Sequence, residues 1–305
     1  MTSIINASLP QVMRVTQHGS GMIRTKGRLM TSELSSVAFD ATAIAEIIDL
    51  DRYPIHRLDS EEGRRLVERC QDDLRSRGAC QLHGFIRPDA VESLVAEALA
   101  KAGDAYRTDD THNVYFEEIP ADAAADDPRG MLQHSSKLTI AWDEIAENSA
   151  LRTVYNWNQL TDFIGQALEM PSFYRYDDSL GACSVALFEK GDELGWHFDR
   201  SHFAVTLMLQ PTDEGGEYEY FHMLRSPESE NYEGVAERLN GSRSGVITLQ
   251  NEPGTLSFFR GRYSMHRVTP VAGEKTRVNA VLAYSEKSDD KLNSITQKLF
   301  YGRTT

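Results

Sequence analysis

Beyond residue 173 the chain is cut into short runs rich in β-branched and aromatic residues, each closed off by a glycine or proline turn. The runs fall at 183–188, 202–209, 217–221, 245–249, 255–259, 266–271 and 277–284. Strands this short and this regularly spaced satisfy their backbone groups by pairing with one another, so the pattern predicts an all-β sandwich or barrel. The residues before it behave differently. Leu66, Cys70 and Leu74 recur every four positions and Gly78 stops the run, which predicts a helix over 59–77. A short extended piece at 79–82 leads to a turn at Gly84. A second helix starts at Pro88, carries Val91, Leu94, Val95 and Ala98 on one face, and ends near Gly103. A third is expected over 151–169, with Pro171 beyond its end, while the acidic stretch 120–130 reads as an exposed loop. The expected class is α+β: a flexible arm over 1–45, a mainly helical part over 46–173 and a β core over 174–305, packed as one integrated unit.

Composition narrows the function classes. With 305 residues, 40% of them apolar, the chain can build a real core, and a formal charge of −14 argues against a nucleic-acid groove. Cys70, Cys80 and Cys183 are too few and too scattered for a disulfide framework, which suggests a reducing, cytoplasmic setting. The longest apolar stretches, such as 204–209, fall far short of the roughly 20 residues that span a bilayer. Arg14, Arg24, Lys26 and Arg28 precede the first acidic residue, Glu33; the pattern is faintly like a transit peptide and reads more simply as part of the arm. A small-molecule partner is expected, with neither nucleic acid nor membrane, and nothing specifies an oligomeric state.

Within the β core, WHFD at 196–199 follows a glycine-bearing turn. In a strand, His197 and Asp199 would project to one face and Phe198 to the other. An imidazole beside a carboxylate suits a divalent transition metal, and two histidines with one carboxylate are the ligand set of non-haem Fe(II) oxygenases. An HxD pair alone is a common accident of sequence. His266, 67 residues after Asp199, lies between two β-rich runs and offers the third ligand. Eleven residues later Arg277 opens a strand whose two faces are both apolar, so an inward-pointing guanidinium there needs an anion. His202, His222, His83, His112 and His134 lack this context. Trp196 is read as a packing residue.

This order, HxD, then His, then Arg, resembles the Fe(II)/2-oxoglutarate-dependent dioxygenases. FEKGD at 188–192, GGEY at 215–218, PGTL at 253–256 and the entry RGACQLHGF at 77–85 are similar to that superfamily's habits, the likeness covering about 174–286. The resemblance implies a double-stranded β-helix (jelly-roll, cupin-like) core with N-terminal helices packed against it. It implies Fe(II) held by His197, Asp199 and His266, Arg277 on the distal carboxylate of 2-oxoglutarate, and O2 as co-oxidant, with ascorbate as a candidate reductant. Many relatives have tyrosine where this chain has Phe188, so a phenol contact to the cosubstrate is expected to be missing; Thr206 is the candidate replacement donor.

THNVY at 111–115 and HSSKLT at 134–139 look similar to a bacterial branch acting on free amino acids and natural-product intermediates. That branch includes halogenases, which carry glycine at the position of Asp199. The aspartate therefore implies a hydroxylase that oxidises an unactivated C–H bond and releases succinate and CO2. Asn113, Tyr115, Lys137 and Trp142 are candidates for recognising an amino acid's charged ends, against the plainer reading of ordinary loop and helix surface. The insert 227–244 is read as either a lid or a surface loop. Three alternatives stand: a cupin-type metalloenzyme that does not use 2-oxoglutarate, a non-catalytic metal-binding scaffold, and a hydroxylase of a protein side chain.

Overall fold

A computed structural model of the chain describes residues 41–124 and 126–305. The N-terminal arm lies outside the described residues as far as residue 40. Short α1 (Ala41–Ile47) leads to α2 (Glu61–Arg77), where the chain's local signals agree with one another. Ser60 accepts from the Gly63 N–H, Glu61 and Glu62 occupy the first turn, and Gly78 closes the helix at φ 70°, a left-handed conformation that glycine adopts without penalty. Leu66, Val67, Cys70 and Leu74 form its buried stripe. After β1 (Ala79–Leu82), Pro88 begins α3 (Pro88–Lys101).

The next elements are β2 (Tyr106–His112) and β3 (Gln133–Ile140), a hairpin with no apolar alternation to announce it. The single helix expected over 151–169 is two, α4 (Ala150–Asn156) and α5 (Asn158–Ala167). Trp157 between them takes an extended backbone and is buried, so packing of one indole overrides a helical periodicity. The remaining strands are β4 (Tyr174–Arg175), β5 (Cys183–Phe188), β6 (Glu193–His197), β7 (Ala204–Gln210), β8 (Tyr218–Phe221), β9 (Val246–Leu249), β10 (Thr255–Phe259), β11 (Met265–Val268), β12 (Arg277–Leu282) and β13 (Tyr284–Ser285). Two helices interrupt or end the series, α6 (Tyr232–Leu239) and α7 (Ser294–Tyr301).

Eleven strands form one antiparallel sheet in the order β1-β10-β7-β12-β5-β3-β6-β11-β8-β9, with β2 on β3. The sheet curls at β3, which pairs with β5 through Leu138–Ile140 and with β6 through Ser135 and Ser136. Its two halves face each other: the Phe259 ring on β10 reaches Tyr218 and Tyr220 on β8 (5.3 and 5.1 Å) and His266 on β11 (4.9 Å). This is a double-stranded β-helix. Period-2 alternation then sorts the side chains. Val205, Leu207, Leu256, Phe258, Val278, Ala280 and Leu282 point outward into the main core beneath α1–α5. Thr206, Ser257, Asn279 and Arg277 take the inner face.

The insert 227–244 contains α6. Its fully buried Val235 packs with Trp196, Phe198, Phe221 and Met265 on the outer face of β6, β8 and β11. Arg243 at the end of the insert pairs with the buried Glu219, which also takes Arg267. The segment is a docked helix on the side of these strands away from the inner face. No helix among the described residues is long and apolar enough to cross a membrane.

Candidate active site

His197 ends β6 and His266 lies directly opposite it on β11, their ring centroids 4.0 Å apart. Adjacent strands thus supply both imidazoles. Asp199 lies past the end of β6, so strand alternation is not what aligns it with His197. The Asp199 N–H donates to the Gly261 carbonyl (3.1 Å), which turns its carboxylate back over the two rings. Asp199 Oδ1 is 3.8 Å from His197 Nε2 and 3.5 Å from His266 Nε2. Gly261 makes this approach feasible, because a Cβ there would sit 1.7 Å from Asp199 Oδ2.

Three observations test whether a metal fits. His197 Nδ1 meets the Gly195 carbonyl (2.8 Å) and His266 Nδ1 meets that of Ser264 (2.9 Å). A carbonyl only accepts, so each Nδ1 carries the proton and each Nε2 presents its lone pair inward. Asp199 Oδ2 is buried without a hydrogen-bond partner. The three ligand atoms lie within 4.8 Å of one another. Burial, reinforced by His266, pushes His197 down to about 3, which keeps it neutral. Burial opposes ionisation of Asp199, yet the two histidines hold its carboxyl below the usual range. Neutral imidazoles, one carboxylate and an orphaned oxygen fit a divalent transition metal of the Fe(II) type, with coordination positions left over.

Arg277 is 3% exposed, with no carboxylate partner among the described residues. Its Nε is buried and unpaired, and its guanidinium carbon stands 5.3 Å from the Phe188 ring centroid. A buried, uncompensated cation costs several kcal/mol, so the site asks for an anion. Gly216, at φ +62°, clears its path, since a Cβ there would lie 3.2 Å from Arg277 Cδ. Thr206 shares the inner face but pairs with Val281, four residues along β12 from Arg277. At about 3.3 Å per residue that is roughly 13 Å. The inner-face phenol close enough to feel both the Arg277 and the Asp199 charge is Tyr218, whose ring stacks on His266 at 5.5 Å. Burial raises its phenol well above the ordinary value, so it stays a donor. Its sequence signal was GGEY at 215–218, which ends on this tyrosine.

The candidate recognition residues fare differently. Asn113 donates to the carbonyls of Glu117 and Arg129 and accepts from the N–H groups of Tyr115 and Glu117, so its hydrogen-bonding capacity is used inside its own loop. Tyr115 stacks on Phe198, across the strand from His197, and joins the cluster under α6. Trp142 sits under Arg152 and against Tyr155 on the helical side. None of the three is brought to the His–Asp–His cluster. Two other residues are. His112 and Phe116 lie 6.2 and 5.5 Å from His197 ring to ring and stack on each other at 4.3 Å. Both His112 nitrogens are engaged, by Asn113 O and Ser135 Oγ, so it is a wall and not a ligand. Phe116 holds φ at 55°, unusual for a bulky residue, and Arg200 pins its carbonyl at 3.0 Å. His112 left no sequence signal beyond its place in THNVY, and Phe116, one residue past that stretch, left none. Two surface clefts, about 410 and 540 Å3, are lined by none of the metal-site residues or Arg277.

The model of the halogenase D family matches residues 63–300. No curated protein matches the chain. Among solved structures, a prolyl-4-hydroxylase from Pseudomonas putida is 18% identical, over 70% of this chain and 96% of its own, at a TM-score of 0.45. AviO1 from Streptomyces viridochromogenes is 17% identical, over 73% and 96%, at 0.49. A prolyl hydroxylase from Trichoplax adhaerens, in complex with a hypoxia-inducible-factor peptide, is 14% identical, over 73% and 90%, at 0.45.

Proposed function

Since the chain belongs to the halogenase D family and is a non-haem Fe(II)- and 2-oxoglutarate-dependent oxygenase, we propose that it hydroxylates an unactivated C–H bond of a small molecule and does not chlorinate it. The substrate class is a free amino acid or an amino-acid-derived natural-product intermediate. The carboxylate of Asp199 carries the reading. It would supply the third protein ligand to the metal, and the chain is shaped around it, because Gly261 leaves vacant the space that its Oδ2 occupies. A glycine at 199 would open that position to chloride; an aspartate closes it.

His197, Asp199 and His266 would hold the iron, and Arg277 the distal carboxylate of 2-oxoglutarate, with the protonated Tyr218 phenol as a neighbouring donor. When bound, the iron with 2-oxoglutarate and O2 supplies the oxidising chemistry, with succinate and CO2 as coproducts. The protein's own part is positional. The Nδ1 hydrogen bonds fix both imidazole orientations, and His112 with Phe116 covers the His197 ring on the side facing the 113–117 loop.

The test is a panel of free amino acids incubated with Fe(II), 2-oxoglutarate, O2 and excess chloride, with succinate and products read by mass. The expected result is one amino acid converted to a product heavier by one oxygen atom, one succinate per turnover. A chlorinated product from the unaltered protein, or turnover confined to peptide substrates, overturns the reading.

A further inference from the structure

We infer that Lys137 is a second cation of the pocket that takes the distal carboxylate of 2-oxoglutarate, placed across Phe188 from Arg277. This rests on the cosubstrate assignment above and assigns a role to a residue that it leaves unused.

The register carries the argument. Arg277 on β12 pairs with Phe188 on β5. On the other side of β5, Leu138, Thr139 and Ile140 of β3 pair with Leu187, Ala186 and Val185. One step further in that register sets Lys137 beside Phe188. Residues level with one another on adjacent strands point to the same face, so Lys137, Phe188 and Arg277 form one inward-facing row with the aromatic ring between two cations. Groups around the row are unsatisfied in the manner of an anion site. Arg277 Nε is buried without a partner, and so is the hydroxyl of Thr139, two residues along β3 on the Lys137 face. Lys137 has no carboxylate partner among the described residues either. The elements against it bring no acid: β2 places Thr108 level with it, α7 lays the Phe300 ring 5.2 Å from Nζ, β5 supplies Phe188, and Arg277 is the charge that acts on it. Burial, with Arg277 adding to it, lowers the ammonium to about 8. Two unpaired cations facing one space repel each other until a carboxylate lies between them.

Binding can be read without turnover, on protein loaded with Mn(II) under anaerobic conditions and titrated calorimetrically. The two probes are 2-oxoglutarate and 2-oxopentanoate, which keeps the chelating end and lacks the distal carboxylate. Lys137→Met is expected to weaken 2-oxoglutarate by about tenfold to a hundredfold and to leave 2-oxopentanoate unchanged, while Lys137→Arg restores most of the loss. The affinity of the unaltered protein for 2-oxoglutarate should fall as pH rises through about 8, and Lys137→Met should abolish that fall. An unchanged 2-oxoglutarate affinity in Lys137→Met overturns the assignment. So does equal weakening of both keto acids, which marks a general effect on the fold or metal, and the arginine variant distinguishes misfolding from lost charge. A wrong hydroxylation reading would change the product and leave these affinities alone.

Discussion

At the scale of single residues, the site depends as much on what is missing as on what is present. Gly261 carries no chemistry, yet Asp199 Oδ2 lies 1.7 Å from where its Cβ would be. Gly261→Ala should therefore force the carboxylate aside while leaving both histidines in place. Changes just outside a ligand set typically cost about tenfold to a hundredfold in metal affinity, and that is the loss expected in a Mn(II) titration of the folded variant. An affinity within twofold of the unaltered protein would show that Asp199 does not need its observed position. Gly216 does a milder service, since a Cβ there would press on Thr212 Cγ2 at 2.7 Å and crowd Arg277 Cδ at 3.2 Å. Both glycines stand in stretches whose composition is legible, but which atom each one spares is not, because a side chain's absence leaves no mark in a pattern of apolar residues.

At the scale of elements, two segments changed meaning once folded. The β2–β3 hairpin is polar throughout its first strand, so period-2 alternation could not reveal it. It is held by backbone pairing with β5 and β6 and by Leu138 and Ile140, which β3 buries in the main core, and it is what carries Lys137, Ser135 and His112 to the site. The insert 227–244 looked like a lid or a loop, yet α6 buries Val235 completely on the outer face of the metal-bearing strands. Val235→Ala should lower unfolding stability by about 1–3 kcal/mol, read by denaturant titration. Metal affinity of the folded fraction should be unchanged, since the helix and the His–Asp–His cluster lie on opposite faces. A lost metal site with unchanged stability would mean that α6 acts through the strands and not merely upon them.

At the scale of the whole molecule, one half-buried cation links proton binding to stability. Lys137 falls from an ordinary lysine value of 10.5 to about 8 in the folded chain. Its charged form is therefore penalised by folding, fully below about pH 8, and the penalty fades as pH rises towards the unfolded value. For the protein free of dicarboxylate, this group makes stability rise with pH across that window, and Lys137→Met should flatten the rise in chemical unfolding measured at stepped pH. The same slope in the variant would place its origin elsewhere. Much of this molecule was readable in its letters. The runs at 183–188 and 255–259 are strands to the residue, and the order HxD, His, Arg points to a divalent metal and an anion, while 2-oxoglutarate follows only from the family resemblance. Those features are local or depend only on residue type and order: strand pattern, ligand chemistry, a charge opening an apolar run. Tyr218 beside Arg277, Thr206 four residues away from it, Asn113 spent on its own loop and Lys137 across Phe188 were settled by register and by the curl of the sheet at β3. Register joins strands distant in sequence, and a shift of one residue would send each of these side chains to the opposite face; no single segment of the chain contains that information.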